Sequence, residues 1–383
     1  MRILHTGMGW FSEDAGGLSR YMSQALVSQA GEGHEVRGLV TGTSRTGEVS
    51  GGLARPFASR TDRMDRRLLG LRRAFAGEMR AHRPDIATFH FALYARPVLD
   101  LLGDLPWIMH FHGPWALEGR AEGARPAMAW IRQHLVETPV YRRAARIVTL
   151  SECFAGILRD TYGIPGDRIR VVPGGFDPAP FLAAPVRDEA RRMLGFPSDR
   201  PLVVCVRRLA SRMGLENLID ATAALRSRRP DLLVAIAGRG PLTAALGERI
   251  HEAGLDDNVR LLGFVPDADL PSLYAAADLS VVPTVALEGF GLIVAESLAS
   301  GTPVVASRVG ALPELLGGFA DALLAPPDVA GLAETIDRAL SGGGALPGPD
   351  ACRAHSARWS WANVTPRLLE VYREAVAERT RRP

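Results

Sequence analysis

The sequence predicts an α/β protein of two Rossmann-like, doubly wound parallel-sheet domains facing across a cleft. Three observations carry that expectation. The chain has 383 residues, too many for one ordinary domain. Short continuous apolar runs, the pattern of strands buried on both faces, recur with helical stretches between them. The series pauses once, at 176–200, and then begins again.

Taken in order, "RILHTG" is a strand, "MGWFSEDAGG" a loop, "LSRYMSQALVSQAGEG" an amphipathic helix and "HEVRGLVTG" the next strand, a β-α-β unit. "PDIATFHF", "LPWIMHFHG", "ARIVTLS" and "RIRVVPGG" continue the first sheet. Segment 176–200 lacks strand character and reads as a linker with one short helix. The second series follows with "PLVVCVRRL", "LLVAIAG", "VRLLGFV", "LSVVPT" and "PVVAS" as strands, separated by helical runs. The expected domains are therefore 1–178 and 179–358, with a tail helix over 359–383 crossing back onto the first domain. Pro366 marks a kink in that helix or its start.

Composition narrows the function classes. Hydrophobic residues make up 47% and charged residues 23%, ordinary for a soluble protein. A net charge of +3 gives no reason to expect nucleic acid as a partner. The basic residues are all arginine; the chain has no lysine. Cys153, Cys205 and Cys352 are scattered and odd in number, which fits buried thiols in a reducing compartment. Neither a signal pattern nor an apolar run near the ~20 residues of a membrane span is present, so a cytoplasmic protein is expected.

Ligands of open parallel sheets bind beyond the carboxyl ends of the strands, and the candidate residues fall there. After the strand "LSVVPT" comes "VALEGFG", then the helix "LIVAESLASG". Gly289 and Gly291 let backbone approach a ligand, and the amides of Leu292 and Ile293 can bind phosphate with the helix dipole. Glu288 precedes the helix and Glu296 lies about one turn inside it, so the two serve different parts of a long ligand, or else reflect acid enrichment at a helix start. In "VVCVRRLASRMGLENLI" a strand ends at Arg207-Arg208, a diphosphate grip or two solvated arginines. Glycine-rich edges at Gly16-Gly17 and at Gly238 and Gly240 can also admit phosphate or sugar.

In "MHFHGPW", His110 and His112 share a strand face. No cysteine or carboxylate follows at matching spacing, so no metal is expected; one histidine binds a hydroxyl and the other packs in the core. The arginine-rich stretch 55–83 is a candidate for peripheral contact with the inner membrane face, with a solvated helix face as the competing reading.

Together these motifs resemble the retaining glycosyltransferases of family 4, which have the GT-B fold. The resemblance runs through "GGLSRY", "MHFHG", "ARIVTLSE" and "VVPGGFD", then "RRL…MGLENLI", "AGRGP", "EGFGLIVAESLASGTPVVAS" and "VGALPELL", over almost the whole chain. It implies a nucleotide-sugar donor, no metal or other cofactor, and a glycan, lipid or small-molecule acceptor. It makes Glu288 the first acid of the E-x7-E motif, beside the donor sugar, and Glu296 the second, on the ribose. Phe290, Gly291 and Leu292 match the loop whose backbone meets sugar and phosphate. Arg208 matches the diphosphate clamp, His112 the histidine near the sugar, Gly17 the phosphate loop and Val265 the base contact. One departure stands out: the family's second diphosphate cation, a lysine, falls on Met213, which leaves Arg212 or Arg207 to replace it. An epimerase on the same scaffold and a non-catalytic sugar-nucleotide module are the alternatives. A pyridoxal-dependent phosphorylase is excluded, because the chain has no lysine.

Overall fold

The computed structural model describes residues 1–14, 16–342 and 346–380. The chain forms two compact units: Met1–Phe176 together with the segment from Trp361, and Asp177–Ser360.

In the first unit, seven strands assemble in the order β3-β2-β1-β4-β5-β6-β7. They are β1 (Arg2–Gly9), β2 (Glu35–Thr41), β3 (Ala54–Ala58), β4 (Ile86–Phe89), β5 (Trp107–Phe111), β6 (Arg146–Thr149) and β7 (Ile169–Val171). Every pairing is parallel. The chain winds outward one way from β1 and the other way from β4, so the switch point lies between them. β3 has no counterpart among the expected strands, because Arg55 and Pro56 interrupt its apolar pattern. Pro56 is tolerated since β3 is an edge strand.

Helix Trp361–Thr380 packs within this unit. Trp361 Nε1 donates to Gln24 at 2.9 Å, and Tyr372 meets His110 at 2.8 Å. The helix runs through Pro366 rather than starting there. Residues 381–383 of the expected tail helix lie outside the described residues.

The second unit has six strands in the order β10-β9-β8-β11-β12-β13. They are β8 (Leu202–Val206), β9 (Leu233–Ala237), β10 (Val259–Gly263), β11 (Leu279–Val282), β12 (Val304–Ser307) and β13 (Leu324–Ala325). All pairs are again parallel, with the switch point between β8 and β11. Val203, Cys205, Val234, Ile236 and Val281 are buried among helix residues such as Leu218 and Ile219. Each such aliphatic side chain contributes about 1.5–3 kcal/mol.

Segment 176–200 is no open linker. It forms two short helices, Ala179–Leu182 and Arg187–Leu194, and Arg191 is buried with its guanidinium 2.7 Å from Asp278. The apolar pattern there is sparse because a charged anchor does the packing. The cysteines also differ from expectation: Cys205 and Cys352 are buried but Cys153 is exposed.

Candidate active site

Strand β8 delivers Arg207 to the switch point of the second sheet, beside the end of β11. Arg207 Nη2 donates to Thr284 Oγ1 at 2.6 Å and to Glu288 Oε2 at 2.7 Å. The Thr284 hydroxyl in turn donates to Glu288 Oε2 at 3.3 Å. The Arg207 and Glu288 side chains are only 9% and 12% exposed, and Arg207 Nε is buried without a hydrogen-bond partner. Arg208, the next residue, is exposed. The two adjacent arginines therefore divide into a buried one, engaged with Glu288, and an exposed one.

The structure also separates the two candidates for the missing lysine. Met213 is buried in the apolar core of this unit. Arg212 Nη1 donates to the Leu287 carbonyl at 2.9 Å, so it braces the loop that carries Glu288. Leu287 needs a brace: its φ of 56° is left-handed, unusual for a residue with a branched side chain.

Behind this loop runs Gly310, with φ 58°. A Cβ there would fall 2.3 Å from the Glu288 carbonyl oxygen, so only glycine fits. The Ala311 amide donates to the same carbonyl at 3.0 Å. On the other side Gly238, after β9, is equally constrained, since a Cβ would lie 1.8 Å from the Arg207 carbonyl. Two glycines thus hold the backbones of the buried ion pair from behind.

Gly289 is half-buried in the loop, and Gly291 is the N-cap of helix Leu292–Ala299. No side chain caps this helix, so the first-turn amides of Leu292 and Ile293 keep their donors for a ligand. Phe290 is buried, with its ring edge-on to Trp359 at 5.9 Å. Glu296 is 4% exposed and accepts from the Tyr274 hydroxyl at 3.3 Å. The two acids thus have different partners. Val265, half-buried, follows β10 next to Phe264, a residue 52% exposed whose ring centre lies 5.2 Å from the Arg239 guanidinium.

In the first unit the adjacent strands β1, β4 and β5 bring four histidines together: His5 in the middle of β1, His90 just after β4, and His110 and His112 at the end of β5. His5 Nδ1 lies 3.1 Å from His90 Nε2, and His90 Nδ1 lies 3.0 Å from His112 Nε2. Ring centres 5.4 and 5.3 Å apart mean that these three rings sit end to end. His110 instead stacks on the face of His90 at 4.3 Å. Burial keeps the imidazoles neutral, pushing His5 down to about 4 and His112 down to about 3, and His90 and His110 well below the usual range. Nitrogens of His90, His110 and His112 lie within 4.8 Å of one another. Of these, His90 Nδ1 and His112 Nε2 face each other at 3.0 Å as a hydrogen-bonded pair, which engages a lone pair that a metal would need.

Gly16 and Gly17 open helix Gly17–Gly31, which has no side-chain cap. A Cβ at Gly17 would meet nothing within 4 Å, so the fold does not demand glycine there, whereas Gly16 has a φ of 157° that residues with side chains rarely adopt. Of the expected loop "GWFSEDAG", Ala15 lies outside the described residues. Within 55–83, Arg55 pairs with Glu78 at 2.7 Å, Arg72 with Asp100 at 2.5 Å, and Arg60 with Asp14. These arginines are committed inside the unit, which favours the solvated-face reading. No helix of the described residues is long and apolar enough to cross a membrane.

The sequence reading missed Thr284, Gly310, His5, His90 and Gln29. A signal existed for the histidines: one lies in or just after each of the adjacent strands β1, β4 and β5.

Comparison with known proteins places this geometry. The family model described as "Glycosyl transferases group 1" matches residues 186–354, and that of "Glycosyltransferase Family 4" matches residues 15–180. A D-inositol 3-phosphate glycosyltransferase of Acidothermus cellulolyticus is 36% identical over 269 residues, covering 68% of this chain and 59% of that protein. The chain thus spans less than two thirds of that relative's length. A protein of the same description from Mycolicibacterium smegmatis is 31% identical over 399 residues, covering 97% of this chain and 89% of the relative. Among solved structures, Anabaena Alr3699/HepE in complex with UDP and glucose superposes with a TM-score of 0.78 at 20% identity, covering 98% of this chain and 100% of that one. At that identity the likeness is one of fold, the GT-B fold of two Rossmann-like domains. By sequence, over both units, the chain belongs to the glycosyl transferases group 1 family, with a first unit of the glycosyltransferase family 4 type.

Proposed function

We propose that this protein is a retaining glycosyltransferase that moves a sugar from a nucleoside-diphosphate sugar to an acceptor hydroxyl on a glycan, lipid or small molecule, without a metal ion. The observation that carries the reading is the Arg207–Thr284–Glu288 triangle set beside an uncapped helix start at the β8/β11 switch point. A buried arginine with an unpartnered Nε, an exposed arginine next to it and a row of amide donors form a site for a diphosphate. Solved relatives of the same fold carry UDP-glucose, or UDP and glucose, which supports this donor class.

In this reading Arg207 and Arg208 meet the diphosphate, and Arg207 replaces the family lysine while Arg212 holds the loop. The Leu292 and Ile293 amides complete the clamp, with Gly238, Gly289, Phe290 and Gly291 supplying backbone close to it. Glu288 accepts from sugar hydroxyls, Glu296 from the ribose, and Val265 offers its backbone to the base. In the first unit, Gly16 and Gly17 let backbone approach phosphate and His112 bonds a sugar hydroxyl. Charge grows on the leaving diphosphate in the transition state, and preorganised arginine and amide donors lower its energy there. The leaving oxygen takes the acceptor's proton on the face from which it departs, so the new bond forms with the old configuration.

The test is a panel of UDP, GDP, ADP and dTDP sugars with mixed acceptors in a chelator, read by proton NMR of the anomeric centre. The expected result is one donor class transferred with retained configuration at undiminished rate. Inverted product, or activity that vanishes with chelation and returns with a divalent metal, would overturn the reading.

A further inference from the structure

Three imidazoles of the first unit form a chain that ends on an amide oxygen. Gln29 Oε1, from helix Gly17–Gly31, faces His5 Nε2 at 2.9 Å. His5 Nδ1 then faces His90 Nε2 at 3.1 Å, and His90 Nδ1 faces His112 Nε2 at 3.0 Å. Gln29, His5 and His90 are buried and His112 is half-buried.

A neutral imidazole has one N–H and one lone pair, so a ring that donates at one end must accept at the other. A carbonyl oxygen can only accept. Gln29 Oε1 therefore requires the His5 proton on Nε2, which leaves the His5 Nδ1 lone pair to accept from His90 Nε2–H. The same rule makes His90 Nδ1 accept from His112 Nε2–H. The Thr88 hydroxyl lies 2.7 Å from the same His5 Nδ1; a hydroxyl donates or accepts, so it fits this direction and the Gln29 oxygen alone sets it. The last link leaves His112 Nδ1 bare, with no hydrogen-bond partner among the described residues.

We infer that Gln29 sets the tautomer of His112 through His5 and His90, so that His112 presents the Nδ1 lone pair to a ligand hydroxyl. Gln29, His5 and His90 touch no ligand; they are positioning residues. Neutrality of the rings is a condition, since a second proton on any of them would erase the direction. Burial supplies it, holding His5 at about 4 and His112 at about 3. His110, stacked on His90 and bonded to Tyr372, stands outside the chain. The consequence for specificity rests on the proposed function: at this place the site accepts from a free sugar hydroxyl and disfavours a carboxylate, so hexose donors are preferred over uronic acids.

The experiment uses the full chain with isotope-labelled histidine nitrogens and two-bond proton–nitrogen correlations, which separate protonated from bare nitrogens. His112 is identified by loss of its signals in His112→Asn. Without ligand at neutral pH, His112 is expected as a single tautomer protonated on Nε2, becoming a mixture of both tautomers in Gln29→Met. A wild-type His112 protonated on Nδ1, or a folded Gln29→Met variant with His112 unchanged, would overturn the inference. If Gln29→Met does not fold, the wild-type His5 and His90 signals decide: both must carry Nε2–H, and Nδ1–H on either contradicts the chain. No donor is in the tube, so a failed sugar-transfer assay leaves this result standing, and the reverse holds as well.

Discussion

Arg207 Nη2 lies 2.7 Å from Glu288 Oε2, an ion pair joining the end of β8 to the turn after β11, with the two side chains only 9% and 12% exposed. A pair this sheltered depends on both members, since removing one strands the other charge away from water. Arg207→Met is expected to destabilise the second unit by about 3 kcal/mol, and the double variant Arg207→Met/Glu288→Gln to recover much of that loss. Urea unfolding of the four proteins checks it. Strictly additive losses would show that the pair is not coupled.

Arg207 and Arg212 make opposite predictions for donor binding. Arg212 reaches the Leu287 carbonyl, so Arg212→Ala should loosen the loop and lower the melting temperature by a few degrees, with a change in nucleoside-diphosphate Kd of about threefold or less. Arg207→Ala should weaken the same ligand far more. Equal effects of the two variants on Kd would return Arg212 to the role of the second cation.

Gly310 tests the support of Glu288 from behind. Gly310→Ala must move the Glu288 backbone, because its Cβ would arrive 2.3 Å from that carbonyl oxygen at a φ of 58°. The expected cost is about 1–3 kcal/mol of stability, with donor affinity lost as well. Differential scanning fluorimetry with and without nucleoside diphosphate reads both. An unchanged ligand-induced shift would show that the loop tolerates the displacement.

Two buried groups give the first unit opposing pH responses. Burial raises Glu137, which accepts from the Tyr141 and Tyr162 hydroxyls, to about 7 from 4.5. The folded state then holds the extra proton, so this contribution is complete below 4.5 and is lost as pH rises towards 7. Glu137→Gln should match the wild type near the lower limit and exceed it in alkali by up to about 3 kcal/mol. A difference between the two proteins that does not vary with pH would contradict the assignment. The histidines act the other way. His5 falls from 6.5 to about 4, so its contribution is lost as pH drops through that window, and acid unfolding should begin there.

Both parallel sheets were legible because strands buried on two faces leave unbroken apolar runs, as "LVVCV" and "LLVAIAG" do. β3 escaped because an edge strand tolerates Arg55 and Pro56, and β13 because two residues carry no pattern. The Glu288–Gly291 loop was legible through its glycines and the helix start. The division of labour between Arg207 and Arg208 was not, since adjacent residues leave a strand end in different directions and only the partner Thr284, distant in sequence, shows which is turned inward. The histidine chain was hidden for the same reason: His5 and His90 meet only through the β1–β4 pairing.

The central claim is that the β8 arginines and the Leu292 helix start hold the donor's diphosphate. Calorimetric titration of the nucleoside diphosphate that the wild type binds, and of its parent nucleoside, into wild-type, Arg207→Ala and Arg208→Ala proteins tests it most directly. A lost charged hydrogen bond of about 1.5–3 kcal/mol predicts diphosphate affinity reduced about ten- to a hundredfold in each variant, with nucleoside affinity unchanged. Diphosphate affinity equal to wild type in both variants would contradict the account.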